Sequence, residues 1–298
     1  MAGRPVQTVL RRDRCVLIAG LVVVLAMAWG WVLVGAGMPM SALDMTAMAG
    51  MDGWLMQSAV WTPAYALLIL AMWWVMMVAM MLPAAAPVLL LFARVNRSHK
   101  AAPAPLAATV LFASGYLLAW GVFSAAATAL QWALESARQM SPMLETTHRW
   151  FGPCILIAAG LWQLTPLKAA CLRHCRTPLG FLVGRWRTGP LGALRMGLEH
   201  GAYCLGCCWF LMGLLFFGGV MNLFWIVGLA IYVLLEKTIP MGHWLARAAG
   251  LALLLWGLAL ALQNGNGGQP AAAKGMGLQG PTFSRTIVPP NHPPASPP

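Results

Sequence analysis

VWTPAYALLILAMWWVMMVAMMLPAAAPVLLLF, residues 60–92, carries no charged side chain, and its reading decides the fold class. A helix needs about 20 apolar residues to cross the hydrocarbon core of a bilayer. This run exceeds that length and does not alternate in polarity as a barrel strand would. Pro83 and Pro87 in its second half predict a kink or tilt there. Six further apolar runs, at 15–37, 106–134, 150–167, 196–219, 222–240 and 244–263, extend the pattern. The expectation is an all-α fold, a polytopic transmembrane helical bundle over residues 1–263 with seven helices, or six because the last two runs are short. Residues 264–298 are rich in Gly, Pro and Ala and read as a disordered external tail.

Composition points the same way. Of 298 residues, 60% are hydrophobic and only 9% charged, too few charges for a water-facing surface. A net charge of +12 would suggest nucleic acid for a soluble domain. Threaded through seven spans, however, fifteen of the nineteen Lys and Arg fall on the side of the amino terminus. That asymmetry is the positive-inside pattern, so the basic excess reports a cytoplasmic amino terminus and a lipid bilayer as partner, not nucleic acid. The first run is longer than the usual apolar core of a signal peptide and reads as an uncleaved helix.

Chemistry concentrates in soft side chains. The outer loop from Met38 to Met56 holds Met38, Met40, Met45, Met48, Met51 and Met56 beside Asp44 and Asp52. Thioethers bind Cu(I) because both are soft, which makes the loop a candidate copper-collecting segment; an interfacial segment is the plainer reading. Within residues 60–92, Met72, Met76 and Met80 form one helical stripe with Met77 and Met81 adjoining it. Such a stripe could relay a soft cation, or serve as adaptable packing.

Cys171-Leu172-Arg173-His174-Cys175 forms a first ligand-rich cluster; if it is helical, Cys171 and Cys175 share a face and His174 lies one position off it. Glu199–Cys208, read as EHGAYCLGCC, forms a second. With His200 at zero on a helical wheel, Met196 falls near −40°, Cys207 near −20°, Cys204 near +40° and Cys208 near +80°. One face therefore offers three thiols and an imidazole at the cytoplasmic end of the fifth span, with Cys171 and Cys175 as partners from the preceding segment. Such donors suit Cu(I), and Zn as a second choice. Small apolar cysteines packed in a helix are the plainer alternative. Glu236 and Lys237, adjacent near the end of the sixth span, mark a proton or ion-pair site, because buried charges require partners; Arg195 and Lys168 are candidates to pair with Glu236.

Several of these pieces resemble one family. They are MMVAMMLP at Met76–Pro83, QLTPLK at Gln163–Lys168, CLRHC at Cys171–Cys175, HGAYCLGCCW at His200–Trp209, GVMN at Gly219–Asn222, and Glu236-Lys237. The combination, spread over residues 60–260, resembles the bacterial predicted metal-binding integral membrane proteins designated domain of unknown function 2182. The resemblance implies a multi-pass protein of the bacterial inner membrane that binds metal, and it implies no particular reaction.

The resulting expectation is a soft-metal protein, with Cu(I) as the ion and a role in its transport or delivery, working with a membrane or periplasmic metal-handling partner. The metal residues are Cys204, Cys207, Cys208, His200, Cys171, Cys175, His174, Met76 and Met80. Neither a phosphate-binding Gly-Lys-Ser/Thr loop nor a large cytoplasmic domain is present in the sequence, so an ATP-driven pump is not expected. Two other classes stay open: a membrane thiol oxidoreductase, from the Cys204-x-x-Cys207 spacing, and a non-catalytic subunit that holds a partner.

Overall fold

The computed structural model describes residues 3–38, 40–47, 60–98, 105–140 and 148–265, with side chains omitted for 3–13, 98 and 105. Among them the chain is helical throughout: α1 (Gly3–Leu33), α2 (Ala42–Ala47), α3 (Pro63–Ser98), α4 (Pro105–Ser136), α5 (Phe151–Leu164), α6 (Pro166–Arg176), α7 (Pro178–Gly184), α8 (Gly189–Gly213), α9 (Leu215–Gly218), α10 (Leu223–Thr238) and α11 (Gly242–Gly265). Five helices are long and apolar enough to cross a membrane, and six if the bent pair α5 and α6 counts as one span. This differs from seven spans because α10 has 16 residues, about 24 Å of helix against a hydrocarbon core of about 30 Å. Its ends nevertheless reach opposite ends of the bundle. The amide of Leu223 donates to Thr46 Oγ1 of α2 at 2.9 Å, and Arg176 at the end of α6 donates to the carbonyls of Ile239 and Pro240.

Helix α3 is the axis of the packing. Met72, Trp73, Met76, Met77, Met80 and Met81 are all buried. Neighbours cover this methionine face, while Leu67 and Trp74 of the same helix stay exposed. Pro83 and Pro87 lie inside α3, which continues through both to Ser98.

Helices α4 and α8 touch backbone to backbone. A Cβ on Gly197 would run into the Phe112 carbonyl oxygen, and one on Gly115 into that of Leu194. Only glycine permits this approach. It brings the Tyr116 face of α4 against the thiol face of α8.

The break between α5 and α6 bends the chain by 65°. Its cause is local. Pro166 lacks the amide that would continue α5 and forces the residue before it into an extended conformation; Thr165 sits at φ −72°, ψ 147°. Thr165 Oγ1 then accepts from the Lys168 amide at 3.2 Å, capping α6. The bend lays α6 across α8, with Cys171 against Gly206: a Cβ there would meet the Cys171 sulfur at 2.9 Å. At the far end, α11 runs on through Asn264, which donates to the Arg149 carbonyl, so positions 264 and 265 belong to the bundle and not to the tail. The remaining tail, 266–298, lies outside the described residues.

Candidate metal centre

Cys204, Cys207 and Cys208 are buried on the inward face of α8. Cys175, reaching over from α6, neighbours the Cys204 and Cys207 thiols. Two helices thus bring four thiols into one neighbourhood. Helix α3 adds a thioether, with Met81 Sδ 4.0 Å from Cys208 Sγ. Helix α4 adds a phenol: Tyr116 Oη donates to the Met81 carbonyl at 3.1 Å and lies 3.1 Å from Cys204 Sγ. Helix α10 adds a cation, Lys237, whose Nζ donates to Cys204 Sγ at 2.9 Å.

Glu236 and Lys237 do not act as one unit. Glu236, wholly buried, pairs with Lys168 of α6 and accepts from Tyr232 Oη at 3.3 Å. Tyr232 in turn receives the Gln163 amide at 2.8 Å. Of the two partners weighed from sequence, Lys168 makes the pair. Arg195 lies elsewhere, 3.4 Å from Glu199, which Arg187 and Arg185 also approach at 3.0 and 3.5 Å.

The other expected ligands sit apart from the thiols or beside them. Cys171 is half-buried at the edge of the cluster against Gly206. The His174 ring stacks flat on Tyr203, with centroids 4.1 Å apart, and its Nδ1 meets the Ala170 carbonyl oxygen at 2.9 Å. His200 is enclosed by the rings of Phe112, Tyr116 and Phe181. Its Nδ1 is buried with no hydrogen-bond partner. Met76 and Met80 are core residues; the thioether that meets a thiol is Met81, on the adjoining face of the stripe. In the outer loop, Met45 is buried on α2 and Ser41 caps that helix through Asp44, while Met48, Met51, Asp52 and Met56 lie outside the described residues. The cluster meets α3 at Met81, near the middle of that helix, and α10 at Lys237, one residue before that helix ends.

Sequence reasoning passed over Tyr116 as a site component and set Met81 only beside the methionine stripe. Tyr116 and Met81 had a signal: each lies on a helix face with glycine or methionine at helical spacing, the faces most able to meet α8.

Among the described residues, no group of three or more His, Cys, Asp and Glu side chains stands arranged to hold a metal ion. The hydrogen bonds explain why. The Cys207 and Cys208 thiols both turn back to the Cys204 carbonyl at 3.0 Å, and Cys204 is engaged by Lys237 and Tyr116. The donor set itself suits a soft ion: four neighbouring thiols and a thioether, with an ammonium able to balance thiolate charge. Holding such an ion would require side-chain rotation and loss of thiol protons.

The chain has no match among curated proteins or solved structures. A family model does match, over residues 70–260, and it takes in every part of the thiol cluster and its Lys168–Glu236 neighbour; its description is PpoB2, copper chaperone, and the chain belongs to that family.

Proposed function

We propose that this protein is an integral membrane protein, its amino terminus cytoplasmic, that binds Cu(I) on the α6–α8 thiol cluster and delivers it to a membrane or periplasmic partner. The observation that carries the reading is the burial of Cys204, Cys207 and Cys208 on one face of α8, with Met81 of α3 against Cys208 and Cys175 of α6 alongside. Sulfur donors of both kinds favour Cu(I) over harder ions, with Zn the second choice. Membership of a copper chaperone family supports copper as cargo. The five or six apolar helices and the one-sided basic residues support the membrane and its orientation. His200, Cys171, His174, Met76 and Met80 stay as auxiliary donors that loading could recruit.

The test is a metal inventory of the full chain, purified in detergent under reducing conditions, against Cys204→Ser/Cys207→Ser/Cys208→Ser. Wild type should carry copper and the triple variant should not. Equal, negligible copper and zinc in both would sink the proposal.

The closeness of the Cys175, Cys204 and Cys207 thiols also favours a second reading, a membrane thiol oxidoreductase. Thiol trapping in intact cells separates the two, because a redox enzyme cycles between thiol and disulfide while a metal site stays reduced.

A further inference from the structure

The buried charges around the thiols bear on how the ion is held, an inference that rests on the proposed function. Three ionisable groups beside the cluster are almost wholly removed from solvent: Lys168 at 1% exposure, Glu236 at 0% and Lys237 at 8%. Lys168 and Glu236 pair and sum to zero. The groups touching that pair, Tyr232 and through it Gln163, are neutral. Lys237 turns the other way, to Cys204. The Tyr116 hydroxyl and the Met81 thioether, also at the thiols, bring no charge. One unit of positive charge is therefore left facing the sulfurs.

A low-dielectric interior penalises net charge steeply, so a bound complex is favoured when it cancels that single ammonium. Cu(I) with two thiolates carries 1−, and with three it carries 2−. Zn(II) with four thiolates, the arrangement of a closed structural site, also carries 2−. We propose that Lys237 is a charge-matching residue that limits Cu(I) in this cluster to two thiolates, Cys204 being one of them, and leaves two of the four thiols protonated. The two spare thiols give the ion somewhere to go. A spare thiol beside the occupied pair can bind the ion as it passes its proton to the thiolate that leaves, so transfer exchanges one Cu–S bond for another with the charge unchanged. Lys237 acts through Cys204 as a positioning and specificity residue and is not itself a ligand.

X-ray absorption on the copper-loaded full chain tests the coordination without any substitution. Two sulfurs per copper, with the edge feature of two-coordinate Cu(I), are expected; three or more sulfurs overturn the proposal. Competition with a chromophoric Cu(I) chelator tests Lys237. Lys237→Met should weaken Cu(I) binding by about tenfold to a hundredfold, the scale of one charge interaction at a partly screened site, while Lys237→Arg should stay close to wild type. Unchanged affinity in a folded Lys237→Met protein overturns the role of the charge, and if that variant does not fold, the absorption result on wild type decides. A wild-type protein that binds no copper refutes the proposed function, and this inference with it; copper held by three sulfurs refutes only the inference.

Discussion

Glu236 and Lys237 are neighbours on α10, both buried, and they serve different partners: the carboxylate pairs with Lys168 of α6 and the ammonium reaches Cys204 of α8. Two adjacent side chains thereby tie α10 to both helices that supply thiols. The neutral pair sits beside the thiol cluster and the lone cation sits in it.

Removing one member of that pair leaves a buried charge without a partner. Glu236→Gln should destabilise the protein by about 3–5 kcal/mol, whereas Lys168→Met combined with Glu236→Leu should recover most of the loss. Chemical unfolding in detergent, followed by tryptophan fluorescence, measures both. A double variant no more stable than the single one contradicts the pairing.

The α4·α8 contact leaves no room at Gly197. Gly197→Leu should push α8 away from Phe112 and cost about 1–3 kcal/mol or more, since the obstructing atom is backbone. The same change at Gly228, where a Cβ meets nothing within 4 Å, should cost far less. Thermal unfolding of the two variants gives the comparison directly.

Thr165 sets the angle at which α6 lies on α8. Thr165→Ala removes the cap on the Lys168 amide, worth about 1 kcal/mol. With α6 held less firmly, Cys175 should react faster with a maleimide, and Thr165→Ser should restore the wild-type rate. Mass spectrometry of partly labelled protein reads each cysteine separately. Cys15 and Cys154, already exposed, serve as internal standards whose rates should not move.

Met81 packs on Cys208 beside the two-thiolate site and is not itself a bound sulfur, so Met81→Leu should lower Cu(I) affinity only about twofold to threefold, well under 1.4 kcal/mol. Met76→Leu conserves volume at a core position and should leave affinity near wild type. The reverse order would place the copper path on the Met72, Met76 and Met80 face. Chelator competition under reducing conditions distinguishes them.

The helical class was legible because uninterrupted apolar runs admit few other structures, and the thiol face of α8 was legible because a regular helix fixes the angle between residues. Which methionine faces a thiol was not. Met76, Met77, Met80 and Met81 are all equally apolar, and only the rotation of α3 against α8 decides among them. His200 shows the same limit from the other side: it lies on the thiol face by angle, yet aromatic rings from α4 and α7 enclose it. The partner of Glu236 was narrowed to Lys168 or Arg195 by charge alone, and the 65° bend after Leu164 put Lys168 within reach. A bend of that size follows from Thr165-Pro166 in retrospect, but its direction depends on the helices it packs against.

Because of that bend, the donor set cannot be cut out of the protein. A peptide copying α8 would contain Cys204, Cys207 and Cys208 but lack Cys175 from α6, Met81 from α3, Tyr116 from α4 and Lys237 from α10. Its three thiols would be free to gather around an ion in whatever number the ion prefers. Transplanting the Cys-Leu-Gly-Cys-Cys segment into another helix would transfer the thiols without the neighbours that hold them in this fold.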